Sequence, residues 1–129
     1  MEIQQEHAVE TYKSLMLYGS AGLKFVLMAN GAAAIAVLTF LGHFIASGQP
    51  GAPDLRGPLA AFLGGVLVGG IATATAYFTQ LTLYNEAIGT RSGVERANHV
   101  LWLRISMVLI LLGMLLFGIG AMWGASRLQ

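Results

Sequence analysis

The sequence predicts an all-α fold: a three-span transmembrane helical bundle with helical extensions on the cytoplasmic side. Three observations predict it. Hydrophobic residues make up 56% of the chain and charged residues only 10%, whereas a soluble domain carries about 25% charge. Three apolar runs, residues 25–46, 58–84 and 105–125, each match the roughly 20 residues that a helix needs to cross a bilayer. Short segments rich in Pro, Gly, Asn and Arg separate these runs. At 129 residues the chain is expected to form one membrane domain, 1–129.

Composition also excludes function classes. Cysteine is absent, which removes disulfides, thiolate metal sites and thiol chemistry. A formal net charge of +1, with no run of Lys or Arg, argues against nucleic acid as a partner. The first residues, Met1-Glu2-Ile3-Gln4-Gln5-Glu6, are acidic where a secretory signal needs positive charge. The N-terminus is therefore expected to be retained.

Residues 1–24 read as an amphipathic helix. Ile3, Val9, Tyr12 and Met16 fall near one side, and Glu2, Glu6, Glu10 and Lys13 on the other. Helices that lie in the headgroup plane usually carry Lys and Arg on the polar face, and this one starts acidic. The expectation is a helix that projects from the membrane and continues into the first span, with Gly19 and Gly22 as places for a bend.

Span one, 25–46, begins after Lys24, whose side chain can snorkel to the headgroups. It contains the small-residue patch Asn30-Gly31-Ala32-Ala33-Ala34. Residues 47–57 form a loop with two of the three prolines. Pro58 suits the first turn of the next helix, where its missing N–H costs little.

Span two, 58–84, contains no charge and is built from small residues. Gly57, Ala61, Gly65, Gly69 and Thr73 recur every four residues, and Ala60, Gly64, Ala72 and Ala76 occupy the adjoining row. Lipid gains nothing from such a surface, but a neighbouring helix gains close backbone approach. This run is expected to be the central, most protein-covered helix. Gly89 is a plausible stop beyond it.

Ser92-Gly93-Val94-Glu95 matches a capping box and places the start of a third helix near Ser92. Trp102 and Trp123 bracket span three, 105–125, as interface anchors. Gly113, Gly120 and Gly124 give it a small-residue side of its own. Lys13, Lys24, Arg91, Arg96 and Arg104 fall on one side of the membrane, and Arg56 and Arg127 on the other. The excess of Lys and Arg predicts a cytoplasmic N-terminus and a periplasmic C-terminus.

No chemistry-bearing constellation emerges. His43 lies near the outer end of span one and His99 before the inner end of span three, so they cannot share a haem iron within one subunit. No Ser-His-Asp set, H-E-x-x-H, phosphate loop or nucleotide fingerprint is present. Spans one and two hold no charged residue, which argues against a proton relay or ion-coupled transport. Arg104, at the edge of span three, is expected to snorkel or to pair with Glu86, Glu95 or a partner protein. The expectation is therefore no enzyme, no cofactor and no metal.

The block Lys24-Phe25-Val26-Leu27-Met28-Ala29-Asn30-Gly31-Ala32-Ala33-Ala34, continuing to Gly42, resembles one found in small, uncharacterised bacterial inner-membrane proteins. Ala76-Tyr77-Phe78-Thr79-Gln80 fits the same pattern. The resemblance implies a bacterial three-span protein and carries no activity.

The functional expectation is a non-catalytic integral membrane subunit. It would pack through small-residue helix faces in a homo-oligomer or with other membrane subunits, in contact with the lipid bilayer. The packing positions are Asn30, Gly31, Ala61, Gly65, Gly69, Thr73, Gln80, Gly113 and Gly120. The alternative is a small oligomeric pore or holin-like effector, lined by Thr73, Thr75 and Thr79. Counting rises inward from Lys24 and from Asn85 puts Asn30 level with Gln80 and Thr79. That predicts a hydrogen bond from Asn30 to one of them.

Overall fold

The computed structural model describes residues 2–48, 50–87 and 96–128. Its elements are three α-helices: α1, Glu2–Ala46; α2, Arg56–Ala87; and α3, Arg96–Arg127. Each is long and apolar enough to cross a membrane, so the chain is a multi-pass membrane protein by its three candidate spans. Gly89 and the capping box Ser92–Glu95 lie outside the described residues, as do Glu86 and Glu95 as side-chain partners for Arg104.

α1 is a single helix of 45 residues, about 68 Å at 1.5 Å per residue. It is uninterrupted at both Gly19 and Gly22, where the sequence allows a bend. Its end is capped by backbone bonds from Ser47 N to His43 O (3.0 Å) and from Gly48 N to Ile45 O (3.2 Å). Gly48 adopts φ +66°, the left-handed conformation that commonly ends a helix and that glycine enters without a Cβ penalty. At the start of α2 the Arg56 N–H donates to Asp54 Oδ1 at 3.2 Å. Pro58 then falls in the first turn, where no intrahelical partner is lost.

α2 is the central helix, as its small residues predict: it packs most extensively on α3 and next on α1, and α1 and α3 touch least. Its buried line is Pro58, Phe62, Gly65, Gly69, Ala72, Thr75 and Thr79. On α3 the buried residues Ser106, Gly113 and Gly120 recur every seven. Such a spacing of seven keeps the contact on one side of the helix over two heptads. The buried line differs from the four-residue row read from the sequence. Each step of four overshoots a helical turn by about 40°, so the row from Gly57 to Thr73 winds off the contact face. Gly65 and Gly69 are buried, Gly57 and Ala61 half-buried, and Thr73 exposed.

Ring contacts add to the packing. Phe117 of α3 lies between Phe25 of α1 and Phe62 of α2, with centroids 6.0 and 5.9 Å away. Side-chain polar contacts link each helix to the next in a cycle, and these define the candidate site.

Candidate functional site

Asn30 is the centre of the first feature. It is fully buried, at 0% exposure. Its Nδ2 donates to the Val26 carbonyl one turn back in α1 (2.9 Å) and to the Gly113 carbonyl of α3 (3.1 Å). Helix carbonyls already accept an N–H but keep a second lone pair, so two such oxygens converging on one amide fix its orientation. Asn30 Oδ1 is left with no N–H or O–H partner. It lies against Gly65 of α2, where a Cβ would overlap the whole carboxamide.

The same close approach recurs along the bundle. A Cβ on Gly113 would overlap Val26, and one on Gly69 would stand 2.9 Å from Leu27 Cδ2. A Cβ on Gly120 would stand 2.8 Å from the Phe62 ring, and one on Gly57 would stand 2.6 Å from Trp123. Val26 and Asn30, one turn apart on α1, are thus the knobs that α2 and α3 close around.

Two further links complete the cycle. Ser106 Oγ of α3 donates to the Ala72 carbonyl of α2 at 3.2 Å, the same oxygen that accepts from Thr75 Oγ1 at 2.9 Å. Gln80 Nε2 of α2 donates to the Met16 sulfur of α1 at 3.2 Å. Thr79 Oγ1 donates within its own helix, to Thr75 O at 3.0 Å. Asn30 therefore bonds to Gly113 and not to Gln80 or Thr79. Gln80 is level with Met16 instead, almost four turns of α1 before Asn30. The depth count misplaced them because it treated Lys24 and Asn85 as marks of one membrane edge. The uncharged run on α2 is about 42 Å long, more than a hydrocarbon core of about 30 Å, so its end marks no such plane.

The second feature is a groove of about 260 Å³ between α1 and α3, floored by α2. Met16, Gly19, Ser20 and Leu23 form the α1 wall, and Leu103, Ser106, Met107 and Ile110 the α3 wall. Ala76, Tyr77, Thr79 and Gln80 form the floor. The contact of Gly22 with Ile110, where a Cβ would stand 3.3 Å from Cγ2, closes one end. The Gln80–Met16 contact crosses the other.

The remaining residues singled out by sequence are placed as follows. Gly31 is half-buried with no atom within 4 Å of where its Cβ would be. Thr73 donates its hydroxyl to Gly69 O at 2.9 Å. His43 stands at the end of α1 and His99 near the start of the parallel α3, so the fold holds them at opposite ends. Among the described residues, no three His, Asp or Glu side chains converge as a metal site would require. Sequence reasoning missed Val26 and the Gly22–Ile110 pair, because a Val or Ile in an apolar run carries no signal that separates a helix contact from a lipid contact. In comparisons with known proteins, no family model, curated protein or solved structure matches this chain.

Proposed function

We propose that the chain is a non-catalytic subunit of the bacterial inner membrane, assembling through small-residue helix faces into a homo-oligomer or with other membrane subunits. The observation that supports this is a second small-residue row on α2. Gly65 and Gly69 are taken up inside the bundle, but Gly70 and Ala74 sit on an exposed face with Ala60, Leu63 and Leu67. No atom lies within 4 Å of where a Gly70 Cβ would be. A second helix approaches such a surface more closely than lipid chains do, and gains dispersion contact by it. The balance of Lys and Arg supports a cytoplasmic N-terminus.

The particle mass in mild detergent tests the reading. The full-length chain should migrate as a multiple of its 13.6 kDa or with co-purifying membrane subunits, and Gly70→Leu should reduce it to single chains. A wild-type chain that is alone and monomeric refutes the proposal. A second reading, a small pore or holin-like effector, draws support from the exposed Thr73 beside Gly70. Dye-loaded vesicles separate the two, because a packing subunit leaves them sealed and a pore does not.

A further inference from the structure

We infer that the α1 face carrying Lys24 docks a transmembrane helix of a different protein, one with an Asp or Glu side chain inside the membrane that pairs with the lysine. The inference rests on the membrane-subunit reading above and names the partner's chemistry on this face.

The register of the helices sets the depth of Lys24. Arg104 and Arg127 bracket a charge-free stretch of α3, 105–126, about 33 Å long, which matches a hydrocarbon core of about 30 Å. Gly22 meets Ile110, and Val26 meets Gly113. Lys24 lies between Gly22 and Val26 on the parallel α1, so it is level with α3 between Ile110 and Gly113. That is about 9–14 Å beyond Arg104 at 1.5 Å per residue. α2 agrees, because Gly69 lies against Val26 and Leu27, which puts Lys24 near the middle of the uncharged run 57–85. A four-carbon lysine stem reaches roughly 6 Å, too short to bring the ammonium from there to the level of Arg104.

The chain holds no counter-charge at that depth. Lys24 is exposed, and among the described residues it makes no hydrogen bond and no ion pair. Glu10 is fourteen residues back on α1, about 21 Å away, and Glu2 and Glu6 are farther. Asp54, Glu86 and Glu95 lie outside the apolar runs. A second copy inserted the same way brings another lysine to this level and no acid. Charged side chains inside hydrocarbon almost always pair with one another or face a protein interior. An opposite charge from another chain is therefore what this face lacks.

The surroundings of Lys24 suit a helix as the carrier of that charge. Leu17, Ala21, Met28 and Ile35 are exposed with it, and Gly31 has no atom within 4 Å of where its Cβ would be. These six positions alternate in steps of four and three, the spacing that keeps one side of a helix on a neighbour.

The test uses the full-length chain with Ser47→Cys carrying a fluorescent donor, reconstituted in phosphatidylcholine vesicles. The probes are acceptor-labelled Leu-Ala transmembrane peptides with one central Asp, one terminal Asp or none. By energy transfer, the central-Asp peptide should associate several-fold more tightly than the other two. Lys24→Leu should lose that preference, and Lys24→Asp should pass it to a peptide with a central Lys. Equal or absent association of the three peptides with the parent, or a central-Asp preference that survives Lys24→Leu, overturns the inference. So does a preference for the terminal Asp, which would put the lysine at the headgroups. Self-association of the parent that is lost in Lys24→Leu would put a second copy on the face and overturn it as well. A parent that still migrates as a multiple of 13.6 kDa in mild detergent would then leave the proposed subunit standing, so the two failures are told apart.

Discussion

The carboxamide of Asn30 occupies the volume in which a β-carbon on Gly65 would stand. The two residues are complementary: the amide is held by two carbonyls on α1 and α3, and only glycine on α2 lets it fit. One polar side chain thus ties together all three helices.

Gly65→Ala should destabilise the bundle. The atoms that it meets belong to a short side chain pinned by two hydrogen bonds, so they cannot swing away. Overpacking of this kind costs about 1–3 kcal/mol, more than the roughly 1 kcal/mol that alanine gains in helix propensity. Gly70→Ala, with open space around it, should be neutral or stabilising. Unfolding titrations in mixed micelles rank the two, and equal stability of both variants would refute the contact.

Asn30→Asp should be worse than Asn30→Ala at neutral pH. Alanine loses two hydrogen bonds but also removes the unpartnered Oδ1, for a cost of about 1 kcal/mol by the range seen in membranes. An ionised aspartate would aim oxygens at the Val26 and Gly113 carbonyls and leave a buried charge unpaired, at a cost of several kcal/mol. Finding the two variants equally stable would mean that the amide does not act as the donor.

Gly113→Ala and Val26→Ala should compensate each other. The added β-carbon overlaps the Val26 side chain, and shortening that side chain makes room. A double-mutant cycle should give a coupling of about 0.5–3 kcal/mol, as for residues in contact. Additive losses would place the two apart.

Gln80→Ala should change stability by no more than about 0.5 kcal/mol, because the residue is exposed and its bond is to a thioether, a weak acceptor. Combined with Asn30→Ala, its effect should add within measurement error. A coupling between them would restore the direct Asn30–Gln80 bond that depth counting suggests.

Cysteine labelling reads the topology, since the natural chain has no thiol. Glu6 and Ser47 are exposed near opposite ends of α1. In intact cells, an impermeant thiol reagent should label Ser47→Cys and spare Glu6→Cys. The reverse pattern would invert the orientation.

The sequence by itself determined the number of spans, because a helix in hydrocarbon must satisfy its own backbone and be apolar along its own length. Those demands are local and can be read from one segment at a time. The small residues of α2 likewise marked it as the central helix, since close approach needs missing side chains wherever the partner comes from. The tertiary structure alone decided the register. Lys24 and Asn85 looked like markers of one plane, but apolar runs longer than the bilayer leave the helices free to slide, and no local rule stops them. What stops them is non-local: Asn30 must reach a carbonyl on α3 and a glycine on α2 at once, and Gly113 and Gly65 are the pair that supply these. The groove follows from that register, since its floor and both walls come from residues far apart in the chain.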